Sequence, residues 1–359
     1  MKLLTKAYSR HVHHRPFILS SIAFILFFCL LASINEVRFD RLLHLGQCAI
    51  SKLQYPSIST STTTTNAAFN SSSSSSNATN NLAAADDEIR ILIGILTLPD
   101  QYPRRHFLRM VYGTQPVPKG AKIDVKFVFC NLTKDDQTVL VALEIMRYDD
   151  IIILDCKENM NNGKTFTYFS SLPDMFSDDS QKMLKSDDGN GTTTSSESSP
   201  PPPSPPYHYV MKGDDDSYFR LGNLVSSLRP LPRDDLYYGY VIPCPSMDPF
   251  VEYMSGMGYL VSWDIVEWIK ESEIPRNHLD GPEDKVFGAW LKEGRRGRNR
   301  HNAKWSMYNF PVPPSGCTHE FWPDTIAVHL LKNQPKWIET LKYFNATKDL
   351  KPSKLYHIP

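Results

Sequence analysis

The sequence has no excess of charge of either sign, since Lys+Arg and Asp+Glu both total 39 of its 359 residues. Without a surplus of cations to neutralise phosphates, no nucleic-acid partner is expected, and any anionic ligand must be met by a local cluster. It has no Cys-x-x-Cys pair, which removes the spacing of a zinc ribbon. It also lacks a calcium loop. The stretch "DDGNGTTTSSE" from Asp187 has the look of an EF-hand, but it has neither the alternating acidic ligands nor a glutamate at the last position.

What is present begins with a hydrophobic run, "FILSSIAFILFFCLLASI" from Phe17 to Ile34, apolar apart from its serines and long enough to cross a bilayer as a helix. Lys2, Lys6, Arg10 and Arg15 precede it, against Arg38 and Arg41 after it, so the amino terminus is expected on the cytosolic side. "LLAS" is a poor cleavage site, which favours a type II anchor over a signal peptide. The expected organisation is a cytosolic tail (1–16), a transmembrane anchor (17–34), a low-complexity stalk (35–87), a lumenal domain (88–345) and a C-terminal tail (346–359). The stalk segment "STTTTNAAFNSSSSSSNATNN" has almost nothing to bury. Asn70, Asn77, Asn131, Asn190 and Asn345 each open an Asn-x-Ser/Thr triplet, consistent with a lumenal compartment. Of the six cysteines, Cys29 lies in the anchor and Cys48 at the stalk base, which leaves Cys130, Cys156, Cys244 and Cys317 in the domain. Four cysteines allow three full pairings; Cys130 and Cys156, at the ends of predicted strands, are either bridged or buried thiols.

In the domain, short apolar runs rich in β-branched residues (89–98, 122–130 and 149–156) alternate with helical spacing from Arg104 and from Asp135. That alternation predicts an α/β fold with a parallel sheet and helices on both faces. A third helical stretch from Gly163 runs into an insertion (177–206) whose Ser, Asp and Pro content cannot pack and is expected to be disordered. "YHYVM" then reads as the next strand, with Asp214, Asp215 and Asp216 at its carboxyl end, where ligands collect in an open α/β sheet. Three adjacent carboxylates repel one another and are tolerated only in open water or around a cation. Their place at a strand end favours a hard divalent cation with oxygen ligands, Mg²⁺ or Mn²⁺.

Other signals are weaker alone. Gly256 and Gly258, ahead of a helical run, either let backbone approach a ligand or make an ordinary turn. Glu283 and Asp284 open a short helix, where capping and the helix dipole also favour acids. His329, in an apolar run, is either a satisfied core histidine or a ligand. The basic stretch "KEGRRGRNRHNAKW" (292–305) is either a solvated face or a means of steering an acidic acceptor.

Taken in order, "RRHFLR", "EIMRYDDIIILDCKENMNNGKT", "MKGDDDSYF", "YMSGMGYLVS" and "GPEDKVFGAWL", with His329 last, resemble the β-1,3-galactosyltransferase family of type II Golgi glycosyltransferases, over about Ile89 to Trp337. The resemblance implies a GT-A-like (Rossmann-like) fold with a mixed, mostly parallel sheet. It implies a UDP-sugar donor with UDP-galactose ahead of UDP-N-acetylglucosamine, and Mn²⁺ or Mg²⁺ as cofactor. The implied reaction is an inverting transfer to a glycan or glycoprotein acceptor in a β-1,3 linkage, carried out in the Golgi lumen. By position, it makes Asp214, Asp215 and Asp216 the DxD motif, with Asp216 and Asp214 as metal ligands joined by His329. Asp284 becomes the catalytic base, and Arg105, Arg109, Gly256, Gly258 and Tyr259 lie near the donor. Lys285 stands where the family has valine, and Val111-Tyr112 where it has Thr-Trp. The same residues leave two alternatives: an inactive lumenal partner or chaperone of active transferases, and a nucleotide-sugar hydrolase.

Overall fold

A computed structural model describes residues 88–176 and 204–358. The expected cytosolic tail, anchor and stalk, and all of the insertion but its last three residues, lie outside the described residues. Among the described residues, no helix is long and apolar enough to cross a membrane.

The first half is built as the periodicity predicts. Strand β1 (Ile89–Leu96) is an almost unbroken apolar run, as a strand covered on both faces requires. It pairs in parallel with β2 (Ala121–Cys130), and β2 with β3 (Ile151–Leu154). Helix α1 (Tyr102–Gly113) joins β1 to β2, α2 (Asp135–Tyr148) joins β2 to β3, and α3 (Lys164–Met175) follows. Strand β4 (Tyr209–Asp214) then pairs in parallel with the other edge of β1. Successive side chains of β1 go to opposite faces. Ile91, Ile93 and Ile95 join Leu108 and Val111 of α1 in one core, while Leu92 and Leu96 join Tyr168, Phe169 and Leu172 of α3 in the other.

The second half adds antiparallel strands to the parallel sheet that the alternation predicts. After β5 (Tyr218–Phe219) and helix α4 (Leu221–Leu228), strands β6 (Leu236–Ile242) and β7 (Tyr253–Ser262) enter the sheet, β7 antiparallel to both β4 and β6. Helices α5 (Trp263–Glu271), α6 (Glu273–Asn277) and α7 (Glu283–Glu293) follow, then β8 (Asn299–Asn302), parallel to β6. The strand order β3-β2-β1-β4-β7-β6-β8 gives a mixed, mostly parallel sheet, as the resemblance implies. A second, three-stranded sheet places β10 (Ala327–His329) between β5 and β9 (Met307–Asn309), and helix α8 (Gln334–Tyr343) closes the domain.

Gly256 and Gly258, expected in a loop, lie inside β7, where Gly258 is opposite Gly213. Glycine is depleted in strands, so its presence hid this one. The reason for glycine here is space: a Cβ on Gly258 would stand 2.7 Å from Met211 and from the Phe219 ring.

The four domain cysteines pair as Cys130–Cys156 and Cys244–Cys317, the first tying the end of β2 to the segment after β3. The basic stretch is largely spent on structure. Arg298 pairs with Asp235, the Arg300 guanidinium donates to the Pro249 carbonyl at 3.2 Å, and buried Lys304 donates to the Cys244 carbonyl at 2.8 Å. These cations fasten β8 and the turn after it to their neighbours, which weighs against the steering reading.

Candidate active site

The site begins at the turn that ends β4. The Ser217 amide donates to the Asp214 carbonyl at 3.2 Å, and the Ser217 hydroxyl donates to the Met257 carbonyl at 2.8 Å. Tyr112, one of the departures from the family pattern, is buried and donates its hydroxyl to the Ser217 carbonyl at 2.9 Å. The aspartates therefore sit on a braced turn, and each has a different partner. Asp214 Oδ1 accepts from Lys212 Nζ at 2.7 Å, Asp215 Oδ2 accepts from the Thr97 hydroxyl at 2.7 Å, and Asp216 Oδ2 lies 3.1 Å from Lys332 Nζ. Burial raises the Asp215 carboxyl above its ordinary value, against the Thr97 hydrogen bond, and the charges of Asp216 and Asp214 add to the rise. Burial acts in the same sense on Asp216, but His329 and Lys332 outweigh it and bring that carboxyl down to about 2.

His329 reaches the turn because β10 pairs antiparallel with β5, immediately beyond the aspartates. Its Nε2 lies 3.3 Å from Asp216 Oδ1 and 3.6 Å from Asp214 Oδ2, and its Nδ1 lies 2.8 Å from Asn309 Oδ1. An amide oxygen only accepts, so Nδ1 carries a proton and Nε2 is the ring nitrogen turned toward the two carboxylates. That arrangement is repulsive unless a cation or proton lies between them. Asp214, Asp216 and His329 each offer a ligand atom, all within 4.8 Å of one another. Two carboxylates with an imidazole whose other nitrogen is fixed by an acceptor suit a divalent cation such as Mn²⁺, and the residues present fit the implied metal.

The aspartates and His329 line an open cavity of about 570 Å³. Its other polar walls are Thr97, Gln101, Arg104, Lys164 and Lys332. Arg104, Lys164 and Lys332 were not singled out from sequence. Lys164, in "NNGKT", is almost fully buried; its ammonium donates to the Thr97 carbonyl at 2.7 Å and pairs with Glu158. Burial lowers its pKa against the pull of Glu158.

Arg105 and Arg109 are not brought to the aspartates. Arg105 is fully buried, donating to Glu144 at 2.6 and 3.0 Å and to the Leu98 and Pro99 carbonyls at 2.6 and 2.8 Å. Arg109 pairs with Glu144 at 2.6 Å and with Asp150 at 2.7 Å. Four residues apart, the two share the face of α1 that meets α2, while the preceding Arg104 turns to the cavity. Tyr259 and Gly258 are likewise packed beneath the site. Tyr259 is buried and donates its hydroxyl to Glu283 Oε2 at 2.9 Å.

The other half of the site is the start of α7. Asp284 Oδ2 accepts from the Gly256 amide at 2.9 Å and Oδ1 from the Lys285 amide at 2.8 Å. Lys285 is exposed and meets Asp284 through its backbone. The neighbouring Glu283 turns inward, accepting from Lys212 Nζ at 2.6 Å. Burial alone would lower the pKa of Lys212, but Asp214 and Glu283 together raise it. The sequence motifs thus named Asp214, Asp215, Asp216, His329, Gly256 and Asp284, which this arrangement brings together, and passed over Lys212, which lies between its halves.

No protein-family model matches the chain. It is a distant homologue of the β-1,3-galactosyltransferase pvg3 of Schizosaccharomyces pombe, 25% identical over 280 residues that cover 70% of this chain and 73% of that one. Among solved structures, an active-site mutant of LgtC aligns with 74% of this chain and 98% of its own, at 11% identity and a TM-score of 0.38. Mouse xyloside xylosyltransferase 1 aligns with 67% of this chain and 97% of its own, at 6% identity and a TM-score of 0.36. The mannosyltransferase PcManGT of Pyrobaculum calidifontis, in complex with GDP-Man and Mn²⁺, aligns with 74% of this chain and 66% of its own, at 10% identity and a TM-score of 0.35.

Proposed function

We propose that this protein is an inverting glycosyltransferase that moves a hexose, galactose before others, from a UDP-sugar to a hydroxyl of a glycan or glycoprotein, forming a β-1,3 linkage. The observation that carries the reading is a division of labour within one site. A cation-fitting cluster of Asp214, Asp216 and His329 is adjoined by a separate carboxylate, Asp284, held by backbone amides. The distant homology to a β-1,3-galactosyltransferase supports the choice of sugar and linkage.

Asp214, Asp216 and His329 would hold Mn²⁺ or Mg²⁺, which when bound offsets the charge of the departing diphosphate. Arg104, Lys164 and Lys332 line the same cavity and offer donors to phosphate oxygens. Each oxygen of Asp284 takes one backbone N–H and keeps a lone pair free. Placed beside the acceptor hydroxyl, Asp284 takes its proton as that oxygen bonds to the sugar C1 and the C1–O bond to UDP breaks with its electron pair. Attack from the face opposite UDP inverts the anomeric centre.

The anchor read at 17–34 belongs to the same proposal, a single-pass type II protein of the Golgi membrane with its catalytic domain in the lumen. Two disulfides in the domain suit such an oxidising compartment. The test is UDP release from a panel of UDP- and GDP-sugars with Mn²⁺ or with EDTA. Mn²⁺-dependent release from UDP-galactose that requires a glycan acceptor is expected. Acceptor-independent release with free sugar would instead support a hydrolase.

A further inference from the structure

Lys212 stands two residues before Asp214 on β4, and the period of a strand puts both side chains on one face. Its side chain is 1% exposed, and its three N–H groups have three acceptors: Asp214 Oδ1 at 2.7 Å, the Gly256 carbonyl at 2.7 Å and Glu283 Oε1 at 2.6 Å. Each acceptor belongs to a different element, β4, β7 and α7. The donor capacity of the ammonium is thereby filled, leaving no N–H for a ligand.

These three bonds reach both halves of the site. On one side, holding Asp214 by Oδ1 leaves Oδ2 facing His329 Nε2 at 3.6 Å. On the other, the peptide unit of Gly256 is gripped at its carbonyl by Lys212, while its amide holds Asp284 Oδ2 at 2.9 Å. Glu283, the chain neighbour of Asp284, is fixed a second time through Oε2 by the Tyr259 hydroxyl. The meeting of Lys212 and Glu283 needs glycine at 256, because a Cβ there would stand 2.7 Å from Glu283 Oε1 and 3.4 Å from Lys212 Nζ. A buried ion pair is weak evidence for stability, since desolvation cancels much of its attraction. Fixing geometry is what remains to explain this one.

We infer that Lys212 is a positioning residue, holding the carboxylate at the cation-fitting cluster and the carboxylate assigned to proton transfer in one fixed relation. The inference rests on the glycosyltransferase reading for what those carboxylates do. The position of Lys212 between them does not depend on that reading.

The test uses the full chain and two readouts, binding of Mn²⁺ alone by titration calorimetry and steady-state transfer from UDP-galactose. A positioning role and a mere charge-balancing role predict opposite effects on Mn²⁺. Lys212→Met is expected to weaken Mn²⁺ about tenfold by freeing Asp214, whereas loss of a cation that only balanced charge would tighten it. The variant is also expected to lower kcat ~100-fold, as misplacement of reacting groups by about 1 Å can, with KM for UDP-galactose changed less than about threefold. At saturating Mn²⁺, where the effect through Asp214 is offset, the same substitution in an Asp284→Asn background is expected to add little to the kcat loss, because its remaining effect acts through Asp284. Tighter or unchanged Mn²⁺ binding, or equal kcat losses in both backgrounds, would overturn the inference. Should Lys212→Met fail to fold, Gly256→Ala disturbs the junction without changing charge. The same weakening of Mn²⁺ is expected from it, and unchanged Mn²⁺ binding and kcat would sink the idea. A wild-type chain that transfers no sugar defeats the glycosyltransferase reading instead, and the Mn²⁺ titrations still decide the role of Lys212.

Discussion

Three adjacent aspartates are an electrostatic problem in any sequence, and Asp214, Asp215 and Asp216 answer it with three separate partners, Lys212, Thr97 and the His329–Lys332 pair. Asn309 is the outer support of this cluster, since its Oδ1 fixes the ring of His329 at 2.8 Å. Asn309→Ala is therefore expected to weaken Mn²⁺ binding about 10- to 100-fold in a calorimetric titration, with the melting temperature little changed. That Asp214, Asp216 and His329 gather at one point was legible from the order of the motifs. That Arg105 and Arg109 turn to Glu144 and not to the aspartates was not legible, because a linear motif does not say which way each side of a helix faces. Lys212 lies inside the motif "MKGDDDSYF", yet nothing in residue order marks a lysine as buried. Its role appears only when β7 and α7 are set beside β4.

Helix α2 shows the same limit for an element. Its start at Asp135 is where the spacing puts it, but several of its apolar side chains face solvent. Val139, Leu143 and Met146 are 62, 56 and 83% exposed, while Gln137 and Glu144 are buried. Polar side chains enter the buried face beside Val141 because Glu144 receives both Arg105 and Arg109. Glu144→Ala, which leaves buried Arg105 without its carboxylate, is expected to cost about 3–5 kcal/mol, whereas Leu143→Ser should stay within about 0.5 kcal/mol, both read from chemical denaturation. Burial would raise the Glu144 carboxyl, but Arg105 and Arg109 outweigh it and lower the pKa from its ordinary 4.5. A carboxyl lowered in the folded state contributes stability that is present above its unfolded value and lost as pH falls through the folded one. The domain should therefore lose stability below about pH 4.5, and Glu144→Gln should flatten that part of the denaturation profile.

At the scale of the molecule, the site forms where the sheet changes direction, between β4, parallel to β1, and β7, antiparallel to β4. The parallel half was readable because each strand and helix buries a regular apolar face. The antiparallel half was not, since β7 is interrupted by glycines needed for close approach and β5, β9 and β10 span only two or three residues each. Yet that half brings His329 and Asp284 to the aspartates, so the site depends on the part of the fold least visible in sequence. The central claim is that this junction transfers a sugar with inversion, with Asp284 taking the proton. The most direct measurement is the anomeric configuration and linkage, by proton NMR, of the product formed from UDP-galactose and a glycan acceptor by the wild-type chain and by Asp284→Asn. A β-1,3-linked product is predicted, with the variant slowed ~10²- to 10⁴-fold while still binding UDP. An α-linked product, or full activity in Asp284→Asn, would contradict it.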